Sequence, residues 1–249
     1  MERGRRDEVK VCGLHACRAV FATRPDAVLK VFLRDDRVAL LGDILQALAR
    51  ERRPYKVVSN DELERLTEST HHEGVCFLVR PRPPRTLSGL LSEGRGQTRT
   101  FVALTDVANP HNVGAILRTA AHFGVNAVLL GPGGRLSPAA LRTAQGGAEA
   151  LAVVAVEGWR EALGACRAAG FTLVATSSHA AHSVFETRWP AQAVIMVGSE
   201  AAGLPPEVAR LADLNVAVPG SGQVESLNVA AATAVVLAER WRRRADITR

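Results

Sequence analysis

Leu214-Asn215-Val216-Ala217-Val218-Pro219-Gly220-Ser221-Gly222-Gln223-Val224-Glu225-Ser226-Leu227-Asn228-Val229-Ala230-Ala231-Ala232-Thr233-Ala234-Val235-Val236-Leu237-Ala238-Glu239-Arg240-Trp241-Arg242-Arg243-Arg244 reads as a short strand, a glycine-rich loop and a long helix. Pro219 cannot donate into a ladder and ends the strand. Gly220 and Gly222 admit backbone angles closed to other residues and let a ligand approach the main chain. Ser226 is a good N-cap for the helix that follows. From Val229 to Ala238 that helix is apolar almost all round, which predicts burial rather than an amphipathic surface position. The basic end, Arg240 to Arg244, suits both the helix dipole and an acidic partner. A buried helix entered from a polar, glycine-rich loop is a small-molecule site in outline.

Outward from this stretch, 249 residues with 47% hydrophobic content allow one large or two small domains. No apolar run is long enough to cross a bilayer. Met1 to Arg6 carries basic residues with no apolar segment behind them, so no secretory signal is expected there and the cytoplasm is the expected location. A net charge of +6 favours a polyanionic partner. Only Lys10, Lys30 and Lys56 of the 31 basic residues are lysines. Arginine suits bidentate phosphate contacts and base stacking, although GC-rich coding accounts for most of the excess. Cys12, Cys17, Cys76 and Cys166 form no CxxC pair and no zinc spacing with histidine; they read as scattered reduced core cysteines, and no metal is expected.

Residues 8–80 alternate helix and strand signals. A helix around Leu14, Cys17, Ala19 and Val20 ends near Pro25; Val31-Phe32-Leu33 is a strand. Leu40, Leu41, Ile44, Leu45 and Leu48 space a helix over 38–52. Tyr55 to Val58 is a second strand, Ser59 or Asn60 caps a helix over 61–68, and Val75 to Val79 is a third strand. Together they predict a small α/β domain. His71-His72-Glu73-Gly74 is expected to be a loop with partly exposed imidazoles. Residues 81–98, rich in Pro, Gly, Ser and Arg, read as an interdomain linker.

Residues 99–249 alternate more clearly. Strands are expected at 101–104, 127–130, 152–156, 172–175, 193–197 and 216–218, with helices such as 113–123 and 159–169 between them. Continuous apolar strands separated by helices predict a parallel sheet covered on both faces. Three polar stretches interrupt the pattern at strand C-terminal ends, where open α/β sheets bind ligands. They are Asp106 to Ala120, in which Asn112 is placed to cap a helix that carries Arg118 about a turn and a half on; Val197 to Pro205; and Pro219 to Asn228. Taken singly, each is an ordinary cap or turn.

Taken together and in this order, N-x-x-N-x-G-x-x-x-R, G-S-E-x-x-G-L and P-x-x-x-x-x-E-S-L-N resemble the SpoU/TrmH family of RNA ribose 2′-O-methyltransferases in the SPOUT superfamily. The resemblance covers essentially the whole chain, with 99–244 as the catalytic domain and 8–80 as the family's N-terminal substrate-binding domain. It implies an α/β fold with a deep trefoil knot in the C-terminal domain. It also implies S-adenosyl-L-methionine as methyl donor and a homodimer built through that domain. Asn112, Arg118, Glu200, Ser226 and Asn228 match the family's catalytic and RNA-facing set. Thr176, Gly198, Gly203, Val218, Pro219 and Leu227 fall at its cofactor positions. Ala201 stands where glycine often follows the motif glutamate, and Gly220 where methionine often follows the loop proline.

A ribose hydroxyl is a poor nucleophile at neutral pH, so the protein must align the reacting atoms, exclude water and help the proton leave. Arg118 is read as a cation stabilising the developing alkoxide rather than as a base, since a guanidinium stays protonated. Glu200 is expected to orient Arg118 or Asn112. The 2′-hydroxyl selects RNA over DNA, and the N-terminal domain favours rRNA over tRNA. Two other readings compete. Leu130-Gly131-Pro132-Gly133-Gly134 lacks the spacing of a dinucleotide-binding loop. A non-catalytic RNA-binding or ribosome-assembly protein has no need of all five polar residues.

Overall fold

A computed structural model describes residues 8–94 and 96–244; the Met1 to Arg6 stretch read for a signal lies outside them. Contacts divide the chain into two units, Met1–Pro83 with Ser137–Ala150, and Pro84–Leu136 with Leu151–Arg249.

The first unit begins with β1 (Val9–Cys12), α1 (Leu14–Thr23), β2 (Val28–Leu33), α2 (Gly42–Arg50), β3 (Tyr55–Val57), α3 (Asn60–Thr67) and β4 (Val75–Val79). Its sheet order is β1-β4-β2-β3, with β4 antiparallel to both neighbours and β3 parallel to β2. The edge strand β1 is absent from the expected strands, because four residues of alternating Val and polar character carry little signal alone. Val11, Val31, Leu33, Phe77 and Val79 face Cys17, Val20, Ile44 and Leu48 in one core. Each such burial contributes about 1.5–3 kcal/mol. Leu41, Ile44, Leu45 and Leu48 form the buried stripe of α2 and the turn before it, whereas Leu40, expected on that stripe, is exposed. Ser59 Oγ accepts the Glu62 amide and caps α3 as expected.

His72 departs from expectation: it is 2% exposed, and its Nδ1 accepts the Gly74 N–H at 3.0 Å. Burial pushes its pKa below the ordinary histidine value. Beside it, Glu73 Oε2 accepts the Leu14 N–H at 2.9 Å, at the start of α1, and the Glu73 carbonyl accepts from Arg37 Nε. The loop is therefore a clasp between α1 and the turn after β2.

In the second unit, 81–98 is not all connector. Its α4 (Leu87–Ser92) is capped by Thr86 Oγ1, and Leu90 and Leu91 enter the core. Then come β5 (Arg99–Leu104), α5 (Pro110–His122) and β6 (Ala127–Leu130). The chain next contributes α6 (Pro138–Thr143) and α7 (Gly147–Ala150) to the first unit. Small residues let this segment approach closely: a Cβ on Gly146 would lie 2.4 Å from Ala19 Cβ. Glu149 holds it, pairing with Arg24 at 2.9 Å and Arg82 at 3.2 Å.

The second unit resumes with β7 (Ala152–Ala155), α8 (Trp159–Ala168), β8 (Thr172–Thr176), β9 (His182–Ser183), β10 (Gln192–Val197), α9 (Pro206–Ala209), β11 (Leu214–Ala217) and α10 (Val229–Arg242). All six expected strands are present. They form a parallel sheet of order β7-β6-β5-β10-β8-β11-β9, with the two-residue β9 added at one edge.

Two expectations about α10 are corrected. The helix buries Val229, Thr233, Val236 and Leu237, but Ala231 and Trp241 are exposed, since α5 and the sheet cover only one side. Its basic end is not all on display. Arg240 is buried, donating to Thr100 Oγ1 and to the carbonyls of Arg99, Pro190 and Ala191 at 2.8–3.1 Å, over the Trp189 ring. Burial lowers its pKa to about 10, which leaves it charged at neutral pH. Glu239 is bracketed by Arg242 and Arg243, which hold its carboxyl at about 2. Among the described residues, no helix is long and apolar enough to cross a membrane, and no group of three or more His, Cys, Asp or Glu side chains could hold a metal.

Candidate active site

The chain leaves β5 for β6 on one side and leaves β10 for β11 on the other, so the sheet reverses direction between β5 and β10. In open α/β sheets ligands bind at such a point, in the crevice outside the strand C-terminal ends. Thr105, absent from the sequence reading, zips the two strands up to its edge: its N–H and Oγ1 both reach the Val197 carbonyl at 2.9 Å. The next residue, Asp106, has φ 57, a left-handed conformation that aspartate tolerates better than most residues.

The cap of α5 is Asn109 rather than Asn112. Asn109 Oδ1 accepts the His111 N–H at 2.9 Å, and Pro110 occupies the first helical position. That frees Asn112, which is 9% exposed, to direct its side chain toward Asn228. The cap of α10 is likewise Asn228 and not Ser226. Asn228 Oδ1 accepts from the amides of Ala230 and Ala231 at 2.9 and 3.3 Å. Its Nδ2 donates to Asn112 Oδ1 at 3.1 Å and to Glu200 Oε1. Three residues 28 to 116 positions apart are thus joined through one side-chain amide. Ser226 is exposed and makes no hydrogen bond among the described residues.

Arg118 stands outside this cluster. It is exposed on α5, six residues and about 9 Å along the axis from Asn112, and has no hydrogen bond or ion pair among the described residues. Glu200 does not orient it; the bond of Glu200 is to Asn228.

The cofactor positions surround the same strand ends. Gly198 is buried where the chain turns back on itself: Ser199 and Gly203 exchange backbone hydrogen bonds at 3.0 and 2.9 Å. A Cβ on Gly198 would lie 2.0 Å from the Gly203 carbonyl carbon. Thr176 Oγ1 donates to the Met196 carbonyl at 3.0 Å, tying the end of β8 to β10. Val218 is half-buried, and Pro219 and Leu227 are exposed. A Cβ on Gly203 or Gly220 would meet nothing within 4 Å. The rim therefore offers bare main chain and open apolar side chains, which fits the main-chain hydrogen bonds and apolar contact that an adenosine moiety takes. The Gly131–Gly134 loop is instead a tight turn, closed by Gly134 N–H to the Gly131 carbonyl.

Residues 99–238 match the SpoU rRNA Methylase family. The chain belongs to that family. Residues 10–85 match the unit described as RNA 2′-O ribose methyltransferase substrate binding. The chain is 37% identical over 243 residues to an uncharacterized tRNA/rRNA methyltransferase, YfiF, of Escherichia coli O157:H7, covering 97% of this chain and 70% of the relative. It is 32% identical over 247 residues to the 23S rRNA (guanosine-2′-O-)-methyltransferase RlmB of Acinetobacter baylyi, covering 93% of this chain and 96% of that one. The AdoMet-bound rRNA methyltransferase of Sinorhizobium meliloti superposes with a TM-score of 0.72 at 26% identity, over 96% of this chain and 88% of that one. For a SpoU family member, the crevice between β5 and β10 is the place to look for chemistry.

Proposed function

We propose that this chain methylates a ribose 2′-hydroxyl in ribosomal RNA, using S-adenosylmethionine as donor. The observation that carries the reading is the Asn112–Asn228–Glu200 cluster at the reversal point of the sheet, in a member of the SpoU family. When bound, the donor supplies a methyl group already activated on a sulfonium. The chain's own residues supply the rest. The turn at Gly198–Gly203, the ends of β8 and β11 (Thr176, Val218, Pro219) and Leu227 in the loop before α10 hold the donor. Asn228 locks the loop before α10 to Asn112 and Glu200, so the acceptor ribose meets a fixed wall. Fixing the reacting groups in this way removes much of the entropic barrier.

Arg118, exposed and unpaired, is the cation for the RNA: it binds a phosphate and stabilises negative charge as it grows on the 2′-oxygen. Its guanidinium stays protonated throughout, so the proton leaves to phosphate or water. Ser226, also without a partner, faces the RNA from the same loop.

The choice of rRNA rests on the N-terminal unit and on the near-full-length likeness to a 23S rRNA enzyme. We also propose a homodimer through α5 and α10, supported by the exposed apolar side chains of Ala231 and Trp241 on α10. The trefoil knot is part of this proposal, supported by membership of the SpoU family. Mapping 2′-O-methylation across total RNA from cells with and without the gene tests the reading. One rRNA site should disappear and return with the wild type but not with Arg118→Ala. A lost tRNA site would keep the chemistry and overturn the substrate, and an unchanged map would overturn both.

A further inference from the structure

The chemistry above uses none of the four cysteines. Cys17 and Cys166 are sealed in separate cores. Cys12 and Cys76, expected to be unrelated, are direct partners in the antiparallel β1–β4 ladder. The neighbouring pair is joined by the Gly13 N–H to the Val75 carbonyl. Hydrogen-bonded and non-hydrogen-bonded pairs alternate along such a ladder. Cys12 and Cys76 are therefore a non-hydrogen-bonded pair, in which Cα atoms approach to about 4.5 Å with side chains on one face. That falls inside the window of roughly 4.4–6.8 Å that a disulfide spans. Both side chains lie on the face shared with Phe32, Val58, Leu63 and Leu66.

We propose that Cys12 and Cys76 form a dithiol modification site, converted by a small-molecule disulfide such as oxidised glutathione into an intramolecular disulfide. The Cys12 thiolate attacks one sulfur of the reagent; the reagent's S–S bond breaks, and one thiol leaves with a proton. Cys76 then gives up its proton and attacks Cys12 Sγ, and the second reagent thiol leaves. Two protein thiols are oxidised and one small disulfide is reduced to two thiols.

The order of attack follows from the surroundings. Cys12 is partly exposed and Cys76 buried. The adjacent Cys76 thiol, with Arg142 and Lys10 nearby, holds the Cys12 thiol below its ordinary pKa, while the same proximity and burial raise that of Cys76. Cys17 does not compete, because it belongs to the opposite core and its thiol donates to the Val11 carbonyl at 3.3 Å.

The test treats the full-length reduced protein with oxidised glutathione, blocks remaining thiols and maps the peptides by mass. The wild type and Cys17→Ser should yield one cross-linked peptide pair, Cys12 to Cys76. Cys76→Ala should stop at a glutathione adduct on Cys12, and Cys12→Ser should give neither product. Cys12→Ser changes only the half-exposed member, so the test does not depend on Cys76→Ala folding. Failure of the wild type to cross-link, or a cross-link containing Cys17 or Cys166, would overturn the proposal.

Discussion

Substituting alanine for Gly198 adds one methyl group where the structure leaves no room for it. The new Cβ would lie 2.0 and 2.1 Å from the carbonyl carbon and oxygen of Gly203, and 2.3 Å from the Leu204 nitrogen. Ordinary contact requires the two segments to part by roughly 1.5 Å. Parting them breaks the reciprocal Ser199–Gly203 hydrogen bonds, a loss of about 1 kcal/mol each, on top of about 1–3 kcal/mol for overpacking. A total near 3–5 kcal/mol lowers the unfolding midpoint by roughly 6–20 °C for a domain of this size. Two neighbouring glycines set the scale. Gly203→Ala meets nothing within 4 Å but must hold φ at +67, which costs about 1–2 kcal/mol. Gly220→Ala meets nothing and has no such constraint, so its midpoint should stay within error of the wild type. Thermal unfolding by circular dichroism gives the three midpoints, and calorimetric titration with S-adenosylmethionine gives the affinities. Equal midpoints for Gly198→Ala and Gly220→Ala, or undiminished cofactor affinity in Gly198→Ala, would refute the proposal that this turn is closed and shapes the cofactor site.

Asn228→Asp keeps the oxygen that caps α10 but replaces the amide that donates to Asn112 and Glu200 with a second carboxylate; methyl transfer should fall at least tenfold while helical content measured by circular dichroism is retained. Asn228→Ala loses the cap as well, and its midpoint should drop further, by about 1 kcal/mol of capping. Arg118→Lys should keep part of the activity lost in Arg118→Ala, because a cation remains; a lysine variant as inactive as the alanine one in single-turnover assays would contradict an electrostatic role. Glu239 is ionised in the fold down to about pH 2, below the ordinary carboxylate value, so its stabilisation is complete above about pH 4.5 and is lost as pH falls from there to about 2. Glu239→Gln should therefore flatten the acid limb of a midpoint-against-pH curve in that window and lower stability at neutral pH.

The parallel sheet was legible because each of its six main strands is a run of apolar residues closed by a turn or cap. The three polar stretches at strand ends led to Asn112, Glu200 and Asn228, which the structure joins. Caps were harder: NPHN and ESLN each offer two candidates, and the one used is in each case the residue directly before the helix, Asn109 or Asn228. Pro110 was the clue for the first, since proline favours the position directly after a cap. Arg118 was singled out by the family motif, but its lack of a side-chain partner among the described residues is a fact of three-dimensional packing. Nothing local announced that β1 forms, that His72 is buried, or that 137–150 packs with the first unit. Each depends on pairings tens of residues distant, where propensity is overridden by tertiary contacts.

The long separation between Asn112 and Asn228 also sets a schedule for synthesis. At about 5–20 residues per second, roughly 6–23 s pass between the emergence of the first and that of the second. During that interval β5 lacks β10, its central neighbour, and no arrangement of the nascent chain contains the cluster. The residues of the first unit, including α6 and α7, have all been made by Ala150. A growing chain therefore completes the unit that matches the family's substrate-binding region well before its second unit, and the chemical step waits until the sheet is complete.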